Sequence, residues 1–212
     1  MSQKTEEGGG GAVYSVRPAT PDDLDWIFRL EIEAYSAEYA VARRTLAEWY
    51  CANPEGFSVL TTNGEKAGQI TILPPRPALL EGFDRGTILE QDIDAASLYT
   101  PAERELVRDL HVESVIIQSP EGRSATPLKA LMCLGRNFIP LIRRVCEPSN
   151  LENIYALGAS GRGERFMTGL GFTRVESAQD ETGPRRLYVA KFGALKDNVA
   201  GLYNRRHGKT RT

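Results

Sequence analysis

Hydrophobic and polar positions take strand-like and helix-like spacings in turn from residue 13 onward. Residues 13–17 alternate as a strand, and the apolar residues that follow Thr20 recur at helical spacing. Thr20 precedes Pro21 and two acidic residues, a composition typical of a helix N-terminus. The pattern predicts a first strand and then a helix that extends to about Tyr35.

Two local signals in the rest of the chain mark the start of a helix and a tight turn between two strands. Thr45 and Glu48 have the spacing of a capping box at the start of a second helix, and Asn63-Gly64 is typical of a tight hairpin. The remaining predicted elements are helices at about 45–52, 100–110, 127–145 and 163–170, strands at 57–62, 67–73, 112–117, 153–159, 172–177 and 186–192, and a possible strand at 87–90. This interleaving of strands and helices predicts a single α/β domain.

The composition excludes several classes of protein. The 212 residues are 41% hydrophobic and 25% charged, as in ordinary globular domains, and no apolar run is long enough to span a bilayer. The formal net charge is −2, so the chain lacks the basic excess of a general nucleic-acid binder. We therefore expect a soluble, cytoplasmic protein without a membrane or nucleic-acid partner.

The two ends of the chain differ from its middle. Residues 1–12 include four consecutive glycines, which predicts a flexible N-terminal segment. The last twelve residues contain four lysines or arginines and no acid, so residues 196–212 are predicted to form a basic, solvated tail. The folded domain is accordingly predicted at 13–195.

Cysteines and histidines are too few for several kinds of site. The three cysteines have no C-x-x-C spacing, and one of the two histidines lies in the basic C-terminal segment. These counts argue against a zinc site, a disulfide framework and a cysteine nucleophile, so no metal is expected. Cys133 and Cys146 fall in an apolar helical pattern and are predicted to be buried, unreactive thiols.

Residues 112–145 carry the strongest local signal for chemistry, a strand, a short loop and a long helix. The N-terminus of a helix offers unpaired N–H groups and partial positive charge, which suit a phosphate group. Arg123 could bind such a group through two hydrogen bonds, and the hydroxyls of Ser124 and Thr126 could add donors. The alternative is that Thr126 only caps the helix and Arg123 is solvated.

Three segments resemble the GNAT acyltransferases. Residues 16–24, VRPATPDDL, resemble the family's opening strand and helix. The strand 112–117 followed by PEGR resembles its coenzyme A loop, and residues 163–172, which end in LGF, resemble its last helix. The resemblance implies an α/β fold in which a mixed, splayed β-sheet is flanked by helices and holds acyl-coenzyme A between the strands 112–117 and 153–159.

The resemblance also implies which residues contact the donor. The pyrophosphate would lie on backbone amides of the loop, and the pantetheine arm would lie along the end of the preceding strand. The predicted coenzyme A-binding residues are Ile116, Ile117, Gln118, Arg123, Ser124, Ala125, Thr126 and Leu128. Glu113 stands where relatives often carry a general base; the alternatives are an outward-facing glutamate or an ion-pair partner for an arginine.

Two positions depart from the family pattern. No glycine lies between Arg123 and Leu128, whereas the family loop uses glycines to let the backbone approach the phosphates. Met167 occupies the position of the tyrosine that protonates the departing thiolate in many relatives. Ser160, Tyr155 or a water molecule could supply this proton instead, and the sequence does not choose between them. The predicted catalytic residues are Glu113 and Ser160.

The acceptor side is predicted between the first two helices and the long connection at 76–110. The aromatic and acidic residues there, which suit a cationic amine but could equally form core, are Tyr35, Glu38, Tyr39, Trp49 and Tyr50. The apolar residues of the connection could form an acceptor lid or the surface of a possible homodimer.

The function implied by the resemblance is transfer of an acetyl group from acetyl-coenzyme A to an amine of a small molecule or a protein. The alternative is a GNAT-fold binding or interaction module without catalysis, which the glycine-poor loop and Met167 favour. A third hypothesis, an enzyme acting on aminoacyl-tRNA, has support only from the basic C-terminal residues.

Overall fold

Strands and helices follow one another along the chain much as the hydrophobic pattern predicts. A computed structural model describes residues 12–85, 87–118, 128–158, 160–175 and 186–207. The elements in this part of the chain are β1 (Tyr14–Pro18), α1 (Leu24–Tyr39), α2 (Arg43–Ala52), β2 (Phe57–Thr62), β3 (Glu65–Leu73), α3 (Pro77–Asp84), β4 (Asp109–Ile117), α4 (Leu128–Val145), β5 (Asn153–Gly158), α5 (Gly161–Gly169), β6 (Thr173–Arg174), β7 (Arg186–Lys191) and α6 (Phe192–His207).

All these strands join one mixed sheet in the order β1-β2-β3-β4-β5-β7-β6. The pairing of β4 with β5 is parallel, and the other described pairs are antiparallel. The β4–β5 ladder covers only Asp109–Val112 against Asn153–Ala156, although β4 continues to Ile117. The two strands therefore diverge, which confirms the predicted α/β fold with a mixed, splayed sheet between helices.

Strand β4 contains a bulge at the point where it leaves β5. On the β3 side of β4, Thr71 pairs with Ser114 and Ile72 pairs with Val112. Strand β4 therefore has one more residue than β3 in this stretch, and the extra residue is Glu113. Leu110 and Val112 face the helices α4 and α6 before the bulge, and Ile117 faces α4 after it. The extra residue thus reverses which side chains of β4 point to each face.

Two hydrophobic layers cover the sheet. Helices α4, α5 and α6 pack on one face through residues such as Ile142 and Leu195, and α1, α2 and α3 pack on the other through residues such as Leu46 and Phe83. Cys133 and Cys146 are buried in the first layer, and burial raises the pKa of the Cys146 thiol to about 12. The prediction that both thiols are buried is confirmed, and their low reactivity stays a prediction.

The connection at 76–110 is part of the second layer. It forms α3 and short 3₁₀ turns, so the strand predicted at 87–90 is wrong. Its apolar side chains at Leu79, Phe83, Ile93 and Leu98 are buried in the core, because they cover the β3–β4 region of the sheet. These side chains are unavailable for a lid or a dimer surface, and the homodimer stays a prediction.

Two predicted helices differ from those in the structure. Helix α2 begins at Arg43 rather than Thr45, and Glu48 pairs with Arg44 at 2.7 Å instead of capping the helix. The helix predicted at 100–110 starts as expected, with Thr100 and Glu103 forming a capping box, but it is a 3₁₀ turn that ends at Leu106 because β4 already begins at Asp109.

The entry to α1 is fixed by a buried carboxylate at Asp23, which is 2% exposed. Arg17 donates to it at 2.6 and 3.0 Å, Lys66 lies 2.6 Å away, and the Thr20 backbone and hydroxyl donate to it at 2.9 and 3.0 Å. These donors, the Arg17 guanidinium first, hold the pKa of Asp23 well below its usual range. The cluster ties β1, α1 and β3 together.

Helix α6 passes through the boundary predicted at residue 195. Leu195 is buried, Val199 packs against the same core, and the helix continues to His207. The segment expected to be a solvated tail therefore begins as a helix joined to the domain. None of the helices in the described ranges is both long and apolar enough to cross a bilayer.

Candidate active site

A groove of about 720 Å³ opens where β4 and β5 diverge. Its walls are mainly apolar and come from β3, β4 and β5, from α4 and α6, and from α5. Its polar side chains are Tyr35, Glu113, Ser114, Ser160 and Arg165. A volume of this size with few polar groups is typical of a site for a small organic ligand.

The free edge of β4 runs along this groove. Beyond Val112, β4 has no partner among the described strands on its β5 side, so its backbone can pair with an extended ligand. Ile117 is half-buried at the groove, whereas Ile116 is buried on the opposite face of the strand. The exposed Gln118 donates its backbone N–H to the Ala67 carbonyl at 2.8 Å, which holds the strand end in place.

The structure describes only some of the predicted coenzyme A-binding residues at the start of α4. Arg123, Ser124, Ala125 and Thr126 lie outside the described residues, so their contacts stay predictions. Leu128 begins α4, is 49% exposed and lines the groove. The groove therefore extends to the helix N-terminus at which the sequence predicts a phosphate group.

Glu113 lies at the inner end of the groove and is 7% exposed. The Ser114 hydroxyl donates to its Oε2 at 2.7 Å. Successive side chains of a regular strand point to opposite faces, and the bulge at Glu113 is what allows these two neighbours to meet. The burial of Glu113 excludes the outward-facing alternative, and its side chain lines the groove.

A buried polar network continues from Ser114 toward α1. The side-chain amide of Gln69 donates to Ser114 Oγ and to Glu31 Oε1, and the Thr71 hydroxyl donates to Gln69 Oε1 at 2.9 Å. Glu31 and Gln69 are not among the predicted site residues. The available signal was a glutamate four residues after Ile27 on the buried side of α1, and a glutamine in the middle of a predicted strand, directly before Ile70.

Solved structures share this architecture, although no protein-family model and no curated protein matches the sequence. The loading GNATL domain of CurA from Lyngbya majuscula aligns with a TM-score of 0.58 at 17% identity, over 85% of this chain and 98% of that one. The GphF GNAT-like decarboxylase in complex with isobutyryl-CoA aligns with a TM-score of 0.55 at 16% identity, over 84% of this chain and 98% of that one. Aminoglycoside acetyltransferase AAC(6')-Ib in complex with coenzyme A and kanamycin aligns with a TM-score of 0.52 at 15% identity, over 87% of this chain and 98% of that one.

The chain has the GNAT fold. The alignments cover most of this chain and nearly all of each neighbour, so the similarity concerns the complete domain and not one motif. The groove lies between the two strands at which the GNAT resemblance predicts acyl-coenzyme A.

The resemblance predicts a proton donor at the position of Met167 or, in its place, at Ser160 or Tyr155. Met167 lines the groove from α5 and has no proton to give. Tyr155 packs against the cluster on the opposite face of the sheet, and its burial raises the pKa of its phenol. Ser160 lines the groove, and its hydroxyl accepts the Gly163 N–H at 3.1 Å as the N-cap of α5.

Substitutions at Ser160 separate capping from proton donation. We expect Ser160→Ala to lower the free energy of unfolding by about 1 kcal/mol, because the cap is lost, and Ser160→Asn to restore it, because asparagine also caps helices. Both variants should lower kcat for acyl transfer, since neither side chain retains the hydroxyl. Urea unfolding and steady-state kinetics provide the two measurements, and a kcat restored by asparagine would assign Ser160 to capping alone.

The predicted aromatic acceptor cluster is largely core. Trp49 is fully buried and donates its Nε1–H to the Ile93 carbonyl at 2.9 Å. Tyr50 packs edge-on against Phe57 with 5.4 Å between ring centroids. Of the described side chains in that cluster, Tyr35 is the one that lines the groove, and the side chains of Glu38 and Tyr39 lie outside the described residues.

Proposed function

We propose that this protein is an acyl-coenzyme A-dependent N-acyltransferase that transfers an acetyl group from acetyl-coenzyme A to an amine. The observation that carries the proposal is the position of Glu113, a buried carboxylate at the inner end of an apolar groove with a free strand edge. The thioester would lie beside β4, and the amine would approach from the side of α1, where Tyr35 reaches the same groove.

In this mechanism the amine nitrogen attacks the thioester carbonyl while Glu113 takes the proton that the nitrogen loses. The new C–N bond forms, the C–S bond breaks, and the departing thiolate receives a proton from Ser160 or from water. The free edge of β4 and the apolar walls hold the donor and exclude water. Positioning of the two reactants supplies most of the rate enhancement, and general base catalysis adds to it.

The first test is titration of the full chain with acetyl-coenzyme A by calorimetry, followed by mass spectrometry of products from an amine panel. Saturable binding and an acetylated amine support the proposal, whereas a folded protein without binding contradicts it. The panel includes kanamycin, because AAC(6')-Ib was solved with coenzyme A and kanamycin. Isobutyryl-CoA is tested as a second acyl donor, because GphF was solved with it.

Phe166 provides a test of where the donor binds. It lines the groove from α5 and is 45% exposed, so a polar substitution there costs little folding energy. We expect Phe166→Asp to weaken acetyl-coenzyme A binding about tenfold to a hundredfold, because the apolar contact is lost. Leu106→Asp is the matched control, since Leu106 is 57% exposed on the 3₁₀ turn before β4 and does not line the groove.

A second candidate is an acyl-coenzyme A-binding module that does not transfer the acyl group. Met167 favours it, because a thioether stands in the groove where transfer calls for a proton donor. This candidate predicts the same binding of acetyl-coenzyme A and the same loss with Phe166→Asp. It is distinguished by the absence of acetylated products over the whole amine panel.

A further inference from the structure

Glu31 and Glu113 are buried on neighbouring elements and joined through two polar side chains. Glu31 is 1% exposed on α1, and Glu113 is 7% exposed at the bulge of β4. The path between them runs from Glu31 to the Gln69 amide, then to the Ser114 hydroxyl and then to Glu113. The buried carboxylate at the groove is therefore held by a defined chain of donors.

The hydrogens of this chain can be assigned by counting donors and acceptors. The Gln69 nitrogen has two hydrogens, which point to Glu31 Oε1 and to Ser114 Oγ. The Gln69 oxygen accepts from Thr71 at 2.9 Å, which fixes the orientation of the amide. Because Ser114 Oγ already accepts a hydrogen bond, its own single hydrogen points to Glu113.

We propose that Ser114 and Gln69 are positioning residues for Glu113, an inference that rests on the proposed function. The Ser114 hydroxyl donates to the carboxylate and so favours its ionised, proton-accepting form. Gln69 orients that hydroxyl, and Glu31 anchors the amide of Gln69. An amide does not pass protons along as a hydroxyl or a water does, so the chain orients Glu113 and does not relay its proton.

Removal of the hydroxyl should change how Glu113 ionises. We expect Ser114→Ala to raise the pH midpoint at which Glu113 titrates by about one pH unit, and to lower kcat about tenfold at neutral pH, because a hydrogen bond to a charged group is lost. Ser114→Thr should restore both values, since threonine retains the hydroxyl and suits a strand. Gln69→Leu should lower kcat while leaving KM for acetyl-coenzyme A unchanged, since the Ser114 hydroxyl loses the donor that orients it and Gln69 does not line the groove. This variant also removes a partner of the buried Glu31 and Thr71, so its folding is checked by urea unfolding before kcat is compared.

The titration is measured by NMR with isotope-labelled glutamate carboxylates, with the signal of Glu113 assigned from the Glu113→Gln variant. Other titratable side chains around the groove include Tyr35 and Arg165, and the variants leave these in place. Thr61→Val is the matched control. Thr61 is buried on β2 and bonded to the Ser15 hydroxyl at 2.7 Å, so its loss removes a buried hydroxyl far from Glu113.

The outcomes separate this inference from the proposed function. If wild type transfers no acetyl group, the proposed function fails, and the NMR midpoint alone decides whether Ser114 acts on Glu113. An unchanged midpoint in Ser114→Ala overturns the inference. The inference is also overturned if Thr61→Val lowers kcat as much as Ser114→Ala does, because that result assigns Ser114 a purely structural role.

Discussion

Replacing Glu113 with glutamine is expected to lower kcat for acetyl transfer by a factor of about 10² to 10⁴ at neutral pH. Glutamine has nearly the shape of glutamate and can still accept the Ser114 hydrogen bond, so the fold of β4 should be retained. The amide cannot accept the proton that the amine loses, so the chemical step slows. Single-turnover kinetics with the most active amine of the panel would measure this step directly.

Binding of the donor serves as the internal control for that experiment. Acetyl-coenzyme A should bind Glu113→Gln with the affinity of wild type, because the proposed binding mode assigns the donor contacts to the apolar walls and the strand edge. If Glu113→Gln binds acetyl-coenzyme A normally and reacts at the wild-type rate, Glu113 is not the general base. Its carboxylate would then serve only the buried network.

Replacing Asp23 with alanine is expected to lower the free energy of unfolding by about 2–3 kcal/mol at neutral pH, since the carboxylate is buried but Arg17 and Lys66 are partly exposed. The carboxylate accepts from Arg17 and Thr20 and pairs with Lys66, so its removal leaves several donors without a partner at the entry to α1. Urea unfolding measures the loss. Asp25→Ala is the matched control, since Asp25 is 66% exposed and its pair with Arg43 should contribute less than about 1 kcal/mol.

The contribution of Asp23 should also depend on pH with a definite sign. Its pKa in the folded protein lies well below the ordinary value of 3.8. A carboxyl with a lowered pKa stabilises the fold fully above its ordinary pKa, and this contribution is lost as the pH falls toward the lowered one. The difference between wild type and Asp23→Ala should therefore shrink on acidification below about pH 4, and a constant difference would contradict this account.

Local signals in the sequence predict the parts of this fold that depend on neighbouring residues. The capping pair Thr20 and Asp23 is present, and Asn63 and Gly64 have the positive φ angles of 51° and 88° that a tight hairpin requires. Strand β2 has the predicted bounds. These features depend on spacing and turn chemistry within a few residues, which the sequence displays directly.

The parts that the sequence does not predict depend on partners far along the chain. The bulge at Glu113 appears only when β4 is aligned with β3, and it decides that Glu113 and Ser114 can meet. Glu31 and Gln69 are separated by 38 residues and form a site only once α1 packs on the sheet. Hydrophobic periodicity therefore predicts the architecture but not the polar network beneath the groove.

Helix α6 links the C-terminal end of the chain to the groove. Leu195 and Val199 on this helix line the groove together with α4, so shortening the chain before residue 200 would change the shape of the donor site as well as the charge of the terminus. The role of the basic C-terminal residues is therefore best examined by neutralising individual side chains at full length, or by a truncation that keeps Val199. A chain cut before residue 200 would change the charge and the shape of the groove at once.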